Sequence, residues 1–476
     1  MIKLTSMIEN LLRDRKLILV SNREPYAHEK TTKGITSVRS SGGLVSALDP
    51  VMKACEGIWI ASGNKTTDFE VGARVQVPPN NPKYTLQRIR LSEDEMGHFY
   101  RGFSNRSLWP LFHLFTDRAR FKPKYWDAYR KVNIKFANAV LREMKPNDLV
   151  WIQDYHFALV PDLIRKKMNN ANISFFWHIP WIPFEVFQKL PWSKEFLEGM
   201  LGADLIGFHT RNYSENFMEC VRKELSVPIE IRKGLVKFES RRVKAKEFPI
   251  GIDYNQYASP PKEATELAEK LSGINKGKHI LLSIDRLDYT KGILERLKTF
   301  EKFLEKYPSF RGAIIFMLVV TPSRMKVADY RKMKEDIDRQ VGYINSKFQR
   351  MDWAPIDYYC RNISQNELLS FYRVADAALI TPLKDGMNVI SKEYIATSNG
   401  GVLILSKFAG ASQQLRGAIQ VNPYDVEKTA AAIKFALKMP WPERKRRLNA
   451  LKRNVRKFDV YWWAKKFFEE WERQLH

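Results

Sequence analysis

Cysteine is scarce in this chain: three in 476 residues, at Cys55, Cys220 and Cys360. They are odd in number, far apart and without zinc or redox spacing, which argues against a disulfide scaffold. Long apolar runs are missing too. The longest, such as Ala313 to Val320, are strand-sized and far short of the roughly 20 residues that span a bilayer. No secretory leader is recognisable, because Lys16-Leu17-Ile18-Leu19-Val20 is short and runs straight into Ser21-Asn22-Arg23-Glu24-Pro25. The expectation is a cytoplasmic, soluble protein with no membrane partner. Acid is in deficit, with 79 Lys and Arg against 53 Asp and Glu, a net charge of +26. Such a balance raises nucleic acid as a partner. The basic residues are dispersed along helical patterns, however, and the densest cluster is only Glu443-Arg444-Lys445-Arg446-Arg447. No zinc-finger spacing, RNP signature or basic zipper goes with it, so no nucleic-acid partner is expected. The excess suits a solvated surface and a pocket for small anions. G-x-G-x-x-G and the P-loop are absent, which argues against a dehydrogenase or a P-loop kinase. No metal-ligand cluster is evident; Asp154 and His156 form a pair without a third ligand.

What is present is alternation. Strand-like apolar runs recur at Lys16–Ser21, Asp148–Gln153, Ile173–His178, Leu205–Phe208, His279–Ile284, Ile314–Thr321, Ala377–Thr381 and Val402–Ser406. Helical patterns lie between them, for example Gly292–Lys306 and Val327–Ile344. This reads as α/β, with parallel sheets wrapped by helices. At this length two domains are expected. The best boundary is near Phe248-Pro249-Ile250-Gly251-Ile252-Asp253, giving domains 1–248 and 249–476. The final stretch, about 456–476, is aromatic and amphipathic, and is expected to be a helix lying back on the N-terminal domain.

In open α/β sheets ligands bind beyond the carboxyl ends of the strands. The chain places polar residues there repeatedly. Arg23 follows the first strand, and a loop ends in Ser40-Ser41-Gly42-Gly43-Leu44, where paired glycines let backbone approach a phosphate or sugar. Gln153-Asp154-Tyr155-His156, His178, Asp285 through Gly292, and Thr321-Pro322-Ser323-Arg324 follow later strands. The richest stretch is Ala377 through Ala396. There a strand breaks at Pro382-Leu383-Lys384-Asp385-Gly386, and Asn388 opens a helix that carries Glu393. A helix N-terminus suits a phosphate or sugar hydroxyls. Each feature alone has an ordinary structural explanation, such as a capping Asp, a solvated Arg or a core His178. Their recurrence at one topological position is what points to a site. Arg286 and Lys291 put two cations on one turn, which suits a diphosphate.

Together these motifs resemble the trehalose-6-phosphate synthase family of retaining glycosyltransferases. The resemblance rests on SNREP, SSGGL, FSNRSLWPLFH, WIQDYH, HIPW, ADLIGFHT, FPIGID, DRLDYTKG, TPSR, KDGMNVISKEY, LSKFAGASQQL and VNPYD, in order from Leu17 to about Tyr424. It implies a GT-B fold, two Rossmann-like domains with parallel sheets facing a central cleft. It also implies roles. Arg286 and Lys291 would hold the donor diphosphate and Glu393 the ribose. Asp385, with the backbone of Gly386, Met387 and Asn388, would grip the donor glucose. His178 would lie over that sugar, and Gly42 or Gly43 would close on the diphosphate. Arg23, Tyr100 and Arg324 match acceptor-phosphate positions; Trp109 and Asp154 match positions beside the acceptor sugar. His178, Arg286, Lys291 and Asp154 are the expected catalytic set.

The implied partners are a nucleotide-glucose and a sugar phosphate, as substrates rather than cofactors, with no essential metal. The implied product is α,α-trehalose 6-phosphate, made from glucose 6-phosphate. Two departures bear on the acceptor. The family's Trp-x-Gly-Trp reads Trp59-Ile60-Ala61-Ser62 here, and Ile182 stands where the family usually has proline. They keep a glucosylglycerol-phosphate synthase, using glycerol 3-phosphate, as an alternative. A relative acting on cyclitols and a catalytically silent nucleotide-sugar binder are further ones. The donor base is not coded by side chains, its recognition being expected on backbone around Tyr359–Ile363. No phosphatase-like domain is recognisable, and a homo-oligomer is neither required nor excluded.

Overall fold

The computed structural model describes residues 12, 15–32, 34–40, 43–63, 65–324 and 327–475. The chain divides into two compact units, one of Met1–Ile250 with Val460–His476, the other of Gly251–Asp459.

The strands of the first unit are β1 (Leu17–Arg23), β2 (Tyr26–Thr31), β3 (Gly34–Arg39), β4 (Ile58–Gly63), β5 (Arg74–Val77), β6 (Tyr84–Arg90), β7 (Leu149–Gln153), β8 (Asn172–Phe176), β9 (Leu205–Phe208), β10 (Ile229–Glu230), β11 (Leu235–Phe238) and β12 (Arg241–Glu247). β2 and β3 form a separate hairpin. The others make one sheet in the order β10-β11-β12-β9-β8-β7-β1-β4-β6-β5. Strands β4, β7 and β9 are buried throughout. That is why they read as unbroken apolar runs: parallel strands are covered on both faces. β1 runs parallel to β7 on one side and β4 on the other. A chain that starts at β1, builds outward through β4 and β6, and then returns to β7 reverses its winding between β1 and β7. Ligands collect at such a switch point.

The second unit holds β13 (His279–Arg286), β14 (Ile314–Thr321), β15 (Ile356–Tyr359), β16 (Ala377–Ile380), β17 (Val402–Ser406) and β18 (Ile419–Val421). Their order is β15-β14-β13-β16-β17-β18, all parallel. This is the doubly wound 3-2-1-4-5-6 order, with its switch point between β13 and β16. Each unit is thus Rossmann-like, and the fold class is α/β of the GT-B type.

The last helix, Val460–Gln474, belongs to the first unit. Its apolar face buries Trp463, Phe467, Phe468 and Trp471. Phe467 stacks on Trp151 of β7 at 5.0 Å, and Lys246 of β12 bonds Glu470 at 2.8 Å. The preceding basic helix, Trp441–Lys457, belongs to the second unit, so the return to the first begins at Val460 rather than near 456. Two further boundaries differ from expectation. β8 stops at Phe176, leaving His178 in the loop beyond it. The helix after β16 is Val389–Thr397, with Asn388 as its cap rather than its first turn. No described helix is long and apolar enough to cross a membrane.

Candidate functional site

Around the β13/β16 switch point the two connecting turns are tied to each other. Leu383 N–H donates to Thr290 C=O at 2.8 Å. Gly292 sits at φ 69°, and a Cβ there would lie 2.8 Å from the Thr381 carbonyl oxygen. Only glycine allows that approach. Lys291 ends the turn Tyr289–Lys291, and its Nζ meets Asp385 Oδ2 at 2.6 Å, both side chains being mostly buried. Asp385 is fixed in turn. Its Oδ1 accepts from Met387 N–H at 3.3 Å and its Oδ2 from Asn388 Nδ2 at 3.1 Å. Asn388 adopts φ 74°, a left-handed conformation that asparagine tolerates. Its side chain caps the helix Val389–Thr397 through Ser391 N–H. Arg286 stands exposed at the end of β13.

Arg324 joins the same group from the end of β14. Its Nη1 donates to Asp288 Oδ2 at 3.3 Å and to the Tyr330 hydroxyl at 2.6 Å. Asp288 caps its own turn through Thr290 N–H. Burial works to raise the Asp288 carboxyl, but Arg324, Arg286 and Lys291 outweigh it and the net shift is down. For Lys291 burial works to lower the ammonium, while Asp385 and Asp285 prevail and hold it up. Both groups are therefore charged near neutrality. Glu393 lies one turn into the helix, between two tyrosines. Tyr257 OH donates to Oε1 and Tyr372 OH to Oε2, each at 3.0 Å. Burial raises its carboxyl despite those two bonds.

At the β1/β7 switch point of the first unit the character changes. Asp154 follows β7 directly, at φ 71°. Its Oδ1 accepts from the backbone N–H of His178 at 3.2 Å. Burial pushes its carboxyl up to about 7, against the pull of N–H bonds from Tyr155 and His178. His178 Nε2 lies 2.9 Å from Gln153 Oε1, and its ring is 4.6 Å from that of Phe176. Burial, with the neighbouring His209, lowers its imidazole well below the usual range, so it is neutral at pH 7. Tyr100 stacks on His156 at 5.9 Å, and Trp109 lies 5.9 Å from Tyr155. Tyr100 is carried by Met96–Leu108, a stretch with i→i+5 bonding, a geometry that is rare and often found at functional sites. Arg23 is exposed at the end of β1, in register with Ser62 of β4. Gly43 opens the helix Gly43–Cys55, while Gly42 lies outside the described residues.

Within the second unit, then, Arg286, Lys291, Arg324, Asp385, Gly386, Met387, Asn388 and Glu393 gather at one switch point. Within the first, Asp154 and His178 touch, Tyr100 and Trp109 join through the two residues after Asp154, and Arg23 occupies the adjacent strand end. Sequence reasoning did not find Tyr257, Tyr372, Asp288 or Gln153 as supports. Gln153 and Asp288 lay inside recognised motifs, so their position was a signal; the tyrosines are distant in sequence and gave none. Among the described residues no group of three or more His, Cys, Asp or Glu is placed to hold a metal ion.

The chain matches the model of glycosyltransferase family 20 over residues 15–473. It is 41% identical to a bifunctional trehalose-6-phosphate synthase/phosphatase of Thermoproteus tenax, over 95% of this chain and 63% of that protein. The chain thus spans under two thirds of that relative's length. It is 39% identical to a trehalose-6-phosphate synthase of Mycobacterium sp. (strain JLS), over 96% of each chain. Among solved structures it resembles an α,α-trehalose-phosphate synthase (UDP-forming) of Burkholderia xenovorans in complex with glucose-6-phosphate. There the TM-score is 0.85 and the identity 29%, covering 96% of this chain and 99% of that one.

Proposed function

We propose, from the premise that this chain belongs to glycosyltransferase family 20, the trehalose-6-phosphate synthases, that it transfers glucose from UDP-glucose to glucose 6-phosphate with retention, giving α,α-trehalose 6-phosphate. The observation that carries the reading is the pairing of Lys291 with Asp385 at 2.6 Å across the β13/β16 switch point, beside Arg286. A cation for a diphosphate and a carboxylate for sugar hydroxyls stand side by side, as a nucleotide sugar requires. Departure of the nucleoside diphosphate concentrates negative charge on its phosphates. Arg286 and Lys291 stabilise that charge, with the amide end of the helix Val389–Thr397 adding its partial positive charge. These groups take the leaving-group role without an essential metal. Glu393, held by two tyrosine hydroxyls, receives the ribose, and the backbone of Gly386, Met387 and Asn388 holds the glucose. His178, neutral and held by Gln153, lies over the transferred sugar; Gly42 or Gly43 closes on the diphosphate. Arg23, Tyr100 and Arg324 bind the acceptor phosphate, while Trp109 and Asp154 orient the acceptor sugar. The acceptor hydroxyl then attacks from the face the diphosphate leaves, and the departing phosphate takes its proton. The acceptor and the UDP base are supported by the likeness to the Burkholderia enzyme.

A second acceptor has a specific observation in its favour. Ala61 and Ser62 are fully buried in β4, Ser62 faces Arg23 in register, and its hydroxyl has no partner among the described residues. Ser62 stands where the family has its second tryptophan, so a hexose acceptor loses that aromatic face beside Arg23 while glycerol 3-phosphate, which has no sugar ring, does not need it. The test is UDP release from UDP-glucose with each acceptor in parallel. Release with glucose 6-phosphate, and a product of trehalose 6-phosphate mass, is the expected result. Release only with glycerol 3-phosphate favours the second reading, and no release with either contradicts both.

A further inference from the structure

β13 and β16 flank the switch point of the second unit, yet they pair only at Leu281 and Leu282, opposite Ala377 and Ala378. On its other side β13 pairs with β14 all the way from His279 to Arg286. The two strands therefore part before their carboxyl ends. The turn that carries Lys291 leaves from one side of the gap, and the loop that carries Asp385 from the other. Such a crevice is where a doubly wound sheet receives its ligand. Its width decides whether groups on the two sides act together.

Arg296 spans the floor of that gap. It stands near the start of the helix Ile293–Lys306 and is 1% exposed. Its Nη1 donates to Ser283 Oγ at 2.6 Å and its Nη2 to Asp285 Oδ2 at 2.5 Å, both on β13. Its Nε donates to Thr381 Oγ1 at 3.2 Å, one residue past β16. Nη2 also donates to the backbone carbonyl of Lys291. One rigid, planar fork thus ties both strand ends to the turn that carries Lys291. A lysine ammonium, a single nitrogen on a flexible stem, cannot span those positions. A buried ion pair is by itself weak evidence for stability. What sets this one apart is that every partner of the guanidinium lies at a strand end or turn of the crevice.

The charge of Arg296 has a second effect. Asp285 attracts both Arg296 and Lys291. With Arg296 against it, Asp285 is answered from the floor, and Lys291 is left to Asp385 and the ligand. Removing Arg296 leaves Lys291 to answer two carboxylates.

We propose that Arg296 is a positioning residue for the nucleotide-sugar half of the site, setting the width of the crevice between β13 and β16 and with it the placement of Lys291 against Asp385. This rests on the donor role given to those two residues above. Arg324 is held instead by Asp288 and Tyr330, so the acceptor phosphate is less affected.

The experiment compares Arg296→Met and Arg296→Lys with the parent by calorimetric titration of UDP and by steady-state kinetics, with UDP-glucose and glucose 6-phosphate varied separately. Melting temperatures are measured alongside. Misplacing a reacting group by about 1 Å can cost up to ~100-fold, so Arg296→Met is expected to weaken UDP binding, and to raise the KM for UDP-glucose, by ~10–30-fold. Arg296→Lys keeps a cation opposite Asp285 but loses the fork, and is expected to lose ~3–10-fold in both. The KM for glucose 6-phosphate is expected to stay within ~2-fold in each, because Arg324 keeps its own charge-assisted bond. If Arg296→Met does not fold, Arg296→Lys decides the matter. A lower melting temperature with UDP affinity and UDP-glucose KM unchanged means a packing role alone and overturns the proposal, as does an equal rise in both KM values. A parent that binds UDP but turns over neither acceptor overturns the proposed transfer, and the UDP titrations then judge this inference by themselves. A parent that does not bind UDP overturns both.

Discussion

Both units carry the same winding, yet they furnish the switch point differently. In the second unit the candidate residues are a lattice of charges: Lys291 on Asp385, Arg324 on Asp288, and Arg296 on Asp285 beneath them. In the first, Arg23 at the end of β1 apart, they are rings and nearly neutral groups. His178 is uncharged, Asp154 titrates at about 7, and Tyr100 and Trp109 lie against His156 and Tyr155. On the proposed function, the difference follows from what each must meet. A diphosphate brings several negative charges, and cations already held in place answer it without reorganising. Until it arrives, Asp385 and Asp288 balance Lys291 and Arg324. Sugar hydroxyls bring no charge, and half-buried polar groups beside aromatic faces suit them.

The contrast breaks most sharply at Lys291. Lys291→Ala removes the cation proposed for the leaving group and leaves Asp385 without its ammonium partner, so kcat for UDP release is expected to fall ~10–100-fold. Unchanged turnover would remove the diphosphate role. Arg324→Ala tests whether one cation of the second unit serves the acceptor. The KM for glucose 6-phosphate should rise ~10-fold, the value of a charge-assisted bond. A fall in donor affinity instead would merge the two anion sites. Tyr372→Phe removes one of the two hydroxyls on Glu393. A neutral bond of ~1 kcal/mol makes this a ~5-fold rise in the KM for UDP-glucose. If kcat fell with KM unchanged, Glu393 would not be a ground-state ribose contact.

The smallest effect is thermodynamic and belongs to the first unit. The Asp154 carboxyl stands at about 7 against an ordinary 3.8. A carboxyl raised on folding contributes stability that is complete below its unfolded value and is lost as pH rises through its folded one. Asp154→Asn removes that dependence. The melting temperature of the variant minus that of the parent should therefore climb by a few degrees (~2–4 °C) between pH 4 and pH 7.5, then level off. A flat difference across that window would mean Asp154 is ionised throughout.

Much of this architecture was legible from local pattern. Leu205–Phe208, Ile314–Thr321 and Val402–Ser406 lie where their apolar runs put them. Central parallel strands announce themselves because both faces are buried. The edge meander β10–β11–β12 and the exposed hairpin β2–β3 did not, because polar and half-buried strands share their composition with loops. The i→i+5 stretch that carries Tyr100 was equally silent, having no period of its own to display. Of the candidate site, the residues that lie at strand ends were readable. Their supports were not. Tyr257 reaches Glu393 across 136 residues, and Arg324 reaches Asp288 across 36. Only the fold brings such partners together. The basic cluster at 443–447 also resolves in three dimensions, where Glu443 pairs with Arg446 and Arg447.

The most direct test of the contrast between the units needs no turnover. It is calorimetric titration of UDP into the parent, Lys291→Ala and Asp154→Asn. UDP affinity is expected to fall by at least ~10-fold in Lys291→Ala and to stay within ~2-fold of the parent in Asp154→Asn. Equal losses in the two variants, or full retention in Lys291→Ala, would contradict the assignment of Lys291 to the donor diphosphate and of Asp154 to the acceptor sugar.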